Sequence, residues 1–150
     1  MVEVVAVALV IAIIAAVVVP YLAGANDSAA MAGARMVASD LQYAQDAAIV
    51  TQTNVTVTFD VGDESYSLSN QSGALIHPIT KNVYTIDFAT DRDLSGLDIV
   101  SAFGGIGSVT FDPTGDPSAG GTVVLQAGDQ TYRVMVDAVT GTVTVTVEAS

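Results

Sequence analysis

Met1-Val2-Glu3-Val4-Val5-Ala6-Val7-Ala8-Leu9-Val10-Ile11-Ala12-Ile13-Ile14-Ala15-Ala16-Val17-Val18-Val19-Pro20-Tyr21-Leu22-Ala23 opens the chain, and Glu3 is its one charged side chain. About 20 apolar residues in a helix cover the ~30 Å hydrocarbon core of a bilayer, so this stretch is long enough to span one. A cleaved signal peptide needs a basic start, a shorter apolar run and a small-residue cleavage site. Here an acid stands where the bases belong, which argues against that reading. A carboxylate within an apolar span costs about 2.5 to 3.5 kcal/mol on insertion scales and is expected to find a partner. Glu3 therefore demands a functional explanation. Pro20, at the far end of the run, lacks an N–H and carries a ring that kinks or locally melts a helix.

The rest of the chain is different in kind. Of 150 residues 51% are hydrophobic, yet the formal net charge is −12, so apolar and acidic character must be segregated along the sequence. Beyond the opening stretch lie the other fifteen of the sixteen acids and all four bases, Arg35, Lys81, Arg92 and Arg133. Such a surface repels phosphate backbones, and four scattered bases make no stripe able to release counterions, which speaks against nucleic acid as a partner. Cysteine is absent, which excludes disulfides and thiolate chemistry.

Asn26-Asp27-Ser28 supplies three helix-capping residues after the Pro20 and Gly24 break, and a helix is expected from Ser28 to Thr51. Met31, Ala34, Val37, Leu41, Ala44 and Ala48 recur at steps of three and four, one stripe to lay against a sheet. From Asn54 the period becomes two. Strands are expected at 55–59, 65–68, 83–88, 99–103, 108–111, 122–126, 132–137 and 142–147, separated by Gly, Pro, Asp and Asn turns. The expected fold class is α+β: a long N-terminal helix, with a transmembrane half and an amphipathic half, packed on an antiparallel β-sheet domain. Its divisions are 1–25 (apolar helix), 26–53 (amphipathic helix) and 54–150 (acidic β-rich domain).

The opening twenty residues, with Glu3 and Pro20, resemble the N-terminal helix of type IV pilins and type II secretion pseudopilins. In that family a Phe, a small polar residue and two apolar residues precede the Glu, and a Pro follows at the interval separating Glu3 from Pro20. The sequence starts two residues later than that pattern. A leader peptide, the Gly before its cleavage point and two mature residues are thus expected ahead of Met1. The resemblance implies that prepilin peptidase cuts the leader and methylates the new amine, and that Glu3 pairs with the N-terminal amine of a neighbouring subunit. Such a pair specifies subunit stagger more than it adds net stability.

Val109-Thr110-Phe111-Asp112-Pro113-Thr114-Gly115, Gly121-Thr122-Val123-Val124-Leu125, Tyr132-Arg133-Val134-Met135-Val136 and Thr140-Gly141-Thr142-Val143-Thr144-Val145 are similar to the GspH/FimT group of minor pseudopilins. There an Ala-Arg pair precedes Ala-Ile at the helix end; here Ala44-Gln45 precedes Ala48-Ile49, so Gln45 replaces the Arg. The resemblance implies a structural subunit of a type IV pilus-like or type II secretion filament, polymerising through its N-terminal helix. The alternatives are a minor, tip-located pseudopilin that initiates assembly or binds cargo, and a DNA-uptake receptor pilin. The last requires exposed bases near the C-terminus, where only Arg133 stands among Asp129, Asp137 and Glu148. Implied partners are copies of itself, other pilins, prepilin peptidase and the inner-membrane assembly platform. The implied location is the inner or cytoplasmic membrane before assembly, then a periplasmic or cell-surface filament.

No enzyme is expected. His77 is the single histidine, beside Pro78 in a loop, and one imidazole without cysteine builds no zinc site. Gly104-Gly105-Ile106-Gly107 lacks the spacing of a nucleotide fingerprint and reads as a turn. Asp60, Asp63 and Glu64, and then Asp91 and Asp93, form oxygen-rich loops that could hold calcium, though not at EF-hand spacing; solvated turn acids are the plainer reading. No other cofactor is expected. Asn-x-Ser/Thr triplets start at Asn26, Asn54 and Asn70, a number chance supplies in a chain so rich in Ser and Thr.

Overall fold

A computed structural model describes residues 2–94 and 96–148, with side chains for all of these except 2, 12–27 and 29. Among the described residues, helix α1 (Val2–Thr51) is followed by nine strands: β1 (Val55–Asp60), β2 (Ser65–Asn70), β3 (Gly73–Ala74), β4 (Thr85–Asp87), β5 (Asp98–Ala102), β6 (Ser108–Phe111), β7 (Gly121–Ala127), β8 (Gln130–Val136) and β9 (Val143–Glu148). The expected α+β class with antiparallel pairing is what the chain adopts. Helix α1 runs as one element through the restart expected at Asn26–Ser28, and the side chains of Pro20, Asn26 and Asp27 lie outside those described. Among the described residues no helix is long and apolar enough to cross a membrane.

The strands form two antiparallel sheets. One runs β3-β2-β1-β6, with β4 also on β2; the other runs β5-β7-β8-β9. Alternation explains β1: Val55, Val57 and Phe59 are buried while Thr58 and Asp60 are exposed. Thr56 and Thr110, directly opposite across β1 and β6, share a hydroxyl hydrogen bond of 2.8 Å. Helix α1 lies across both sheets, touching β1 and β6 on one side and β7, β8 and β9 on the other. It ends after Thr51, whose hydroxyl donates to the Ala47 carbonyl at 2.6 Å, because Gln52 turns into the left-handed region at φ 54°.

The buried stripe on α1 is Ala30, Ala34, Val37, Leu41, Ala44 and Ala48. Met31, expected to lead it, is 39% exposed. Stepping back four residues from Ala34 reaches Ala30, and with Gly33 also facing inward the crevice there admits only small side chains. A Cβ on Gly33 would overlap Leu97 Cδ2, so the loop before β5 closes directly on the helix backbone. Beneath the helix, Phe59, Tyr66, Phe88 and Phe103 form a chain of ring contacts with centroids 5.3 to 5.9 Å apart.

Other expected elements shift modestly. The strand expected at 83–88 shortens to Thr85–Asp87, with Val83 making an isolated bridge to Ile76. Phe103 leaves β5 for a short 3₁₀ turn, Phe103–Gly105, so the glycine cluster is a tight turn as expected. β3 was not foreseen, since Gly73–Ala74 carries no strand-forming side chain.

Candidate assembly surface

At the N-terminal end of α1 the apolar side chains point away from the helix on every side. Val4, Val5, Val7, Leu9, Val10 and Ile11 are each more than half exposed, and Glu3 is exposed among them. A helix apolar all round is one that is buried in a larger body, protein or lipid. Glu3 and Val7 share a face one turn apart, with Val4 beside them. Unfilled apolar area of this extent on a soluble protein marks an interaction site.

Further along the helix, three links join α1 to the sheets. Asp40 is buried, and its carboxylate accepts the Tyr66 hydroxyl at 2.5 Å and the Tyr84 hydroxyl at 2.9 Å. Burial raises the Asp40 carboxyl above the ordinary value of 3.8, opposed by these two phenol hydrogen bonds and the His77 charge. Burial, followed by the neighbouring carboxylate, also raises both tyrosines. The third link is Gln45, whose amide donates to the Gly115 carbonyl at 2.8 Å and to the Thr140 carbonyl at 3.1 Å. It ties the helix to the turn after β6 and to the turn between β8 and β9. Neither Asp40 nor the clamp made by Gln45 was anticipated, although Asp40 falls on the apolar stripe, where a charged residue is a signal of a buried partner.

The acids considered for calcium serve their own loops. Asp60 Oδ1 accepts the N–H of Gly62 at 2.9 Å and of Asp63 at 3.1 Å, and Asp91 Oδ1 accepts the N–H of Asp93 at 2.9 Å. Glu64 turns away to accept the Ile99 N–H. Asp63 and Asp93 are exposed. Among the described residues no three His, Asp or Glu side chains gather as a metal site would require. His77 Nδ1 accepts the N–H of Ile79 at 3.1 Å and of Thr80 at 3.2 Å, and its ring lies 4.5 Å from that of Tyr84. Arg133 pairs with Glu148 at 2.8 Å across β8 and β9, which neutralises the base that recognition of nucleic acid near the C-terminus would need.

Residues 33–141 match the family model described as type II transport protein GspH. None of the curated protein sequences matches. Among solved structures, the fold is similar to the minor pseudopilin EpsH from the type 2 secretion system of Vibrio cholerae. The TM-score is 0.55 at 15% identity, over 80% of this chain and 96% of that one. It is also similar to the type IV minor pilin FimU of Pseudomonas aeruginosa, with a TM-score of 0.55 at 14% identity, over 80% of this chain and 88% of that one. At these identities the likeness is one of fold.

Proposed function

The chain belongs to the GspH family of type II transport proteins, and from that premise we propose that it is a structural subunit of a type II secretion or type IV pilus-like filament. The observation that carries this reading is the helix end at residues 3–11, apolar on all sides and uncovered, projecting from a domain whose own core is filled. Residues 1–25 form the filament core and anchor the subunit in the inner membrane before assembly. Residues 26–53 carry the globular domain, and the acidic 54–150 face water outside the core. Net charge of this size keeps such an outer surface soluble.

In this reading Glu3 is the registering residue. Inside a bundle of apolar helices its carboxylate is costly alone and satisfied when it meets the N-terminal amine of a neighbour, so subunits stack at the stagger that brings the charges together. Pro20 is the point at which the helix kinks or locally melts between core and domain, and prepilin peptidase and an assembly platform act on the chain before it polymerises. The role is mechanical, and no catalysis is assigned.

A second reading is a minor subunit at the filament tip. The likeness to two minor pilin-class structures favours it. The Glu3→Ala variant tests the reading common to both: it is expected to stay in the membrane with its β domain folded and to fail to enter filaments. Normal incorporation of that variant would overturn the pairing role.

A further inference from the structure

Residues 65–86 contain no acid, in a chain with sixteen, and hold both Lys81 and His77. Most of this segment is the projection between β2 and β4, and it is a built knob. Ile76 bridges Val83, the His77 N–H donates to the Asn82 carbonyl at 2.8 Å, and the Lys81 N–H donates to the His77 carbonyl at 3.0 Å. The His77 ring caps the tip from inside, and Tyr84 anchors the base to Asp40. On this frame stand Ile79, 83% exposed, with Ile76 and Val83 each 55% exposed. Lys81 is exposed and makes no ion pair among the described residues. The tip is thus an apolar point beside a cation without a counter-charge.

A complementary feature lies on the other sheet. Met135, Asp137, Thr140, Thr142 and Thr144 line a recess of about 320 Å³ beside the turn between β8 and β9. Met135 gives it an apolar patch. Asp137 is an exposed part of its lining, and its Oδ1 accepts the N–H groups of Val139 and Thr140, each at 2.9 Å, and the Thr140 hydroxyl at 3.0 Å. Those bonds hold its carboxyl below the ordinary carboxylate range, so it is ionised at neutral pH, and its Oδ2 takes part in none of them.

We propose that the knob of one copy docks into this recess on the next copy, with Ile79 against Met135 and Lys81 facing Asp137. Charge complementarity supports it: one cation-bearing, acid-free projection meets a recess lined by one carboxylate, Asp137, on a molecule of net charge −12. The two surfaces are different patches of the same chain, so the contact is head-to-tail, the kind that propagates into an open helical polymer. The inference rests on the filament reading and adds to it a contact between globular domains, outside the helix core.

The test uses the full chain in membranes of expressing cells. Cysteine is absent, so Ile79→Cys carries a benzophenone probe at a unique position, and Val10→Cys on the apolar helix serves as the control. Light is expected to join two copies through the Ile79 probe, with the adduct in the peptide containing Met135 to Thr144. Lys81→Asp is expected to reduce that yield about fivefold, the upper range for an exposed pair. Adding Asp137→Lys to it is expected to restore the yield. Adducts of the Ile79 probe only with lipid, with another protein or with a different face overturn the docking, while copy-to-copy adducts from Val10 leave the filament reading standing. Absence of copy-to-copy adducts from both positions overturns the docking together with the repeating-subunit form of the filament reading.

Discussion

The Gln45 side-chain amide lies 2.8 Å from the Gly115 carbonyl oxygen, and the same nitrogen reaches the Thr140 carbonyl at 3.1 Å. One side chain on the helix thereby closes two turns that no strand pairing holds to α1. Gly115 and Gly141 both take positive φ here, and a Cβ on Gly141 would occupy the place of the Gln45 amide. Gln45→Ala removes the donor from two backbone carbonyls and is expected to cost about 1 to 2 kcal/mol. Urea denaturation of the full chain in detergent, read as a lower midpoint at unchanged slope, checks this.

Asp40 makes stability depend on pH in a definite direction. Its folded-state carboxyl is raised above the ordinary 3.8, so below that value both folded and unfolded chains hold the proton. As pH rises, the unfolded chain releases the proton first and unfolding is favoured, until the folded-state group ionises and the effect levels off. The wild type is therefore expected to lose stability relative to Asp40→Asn as pH rises from about 3.8. Denaturation midpoints of both proteins, measured at successive pH values upward from about 3.8, give the comparison. A constant difference would contradict the assignment.

Gly33→Ala pits helix propensity against packing. Alanine favours a helix interior over glycine by about 1 kcal/mol. At this position, however, the new methyl meets Leu97, which is itself buried beneath the helix. Overpacking of a filled core costs about 1 to 3 kcal/mol, so the variant is expected to be less stable despite its better helix former. A raised melting temperature would show that Leu97 yields freely.

Much of this architecture was legible in the residues. β1, β2 and β6 to β9 declare themselves by alternation of β-branched and aromatic residues, and their observed limits differ from the expected ones by only a few positions. The core-facing stripe of α1 was readable from Ala34 onward, where size does not matter to periodicity; at its start the larger Met31 drew the reading away from Ala30. What a single sequence conceals is contact over distance. Asp40 meets Tyr66 and Tyr84 from 26 and 44 residues away, and Gln45 meets Thr140 from 95 residues away. Local patterning marks these residues as out of place on an apolar face without saying what answers them. Likewise the knob at 75–84 read as a strand and a loop, because its shape depends on the His77 ring capping two N–H groups.

The central claim is that this chain polymerises through its apolar helix end. Electron microscopy of surface and periplasmic fractions from cells expressing the full chain, with gold-labelled antibody against the acidic domain, tests it most directly. The account predicts label on filaments, along their length for a repeating subunit or at one end for a tip subunit. Label confined to membranes, with filaments present and unlabelled, would contradict it.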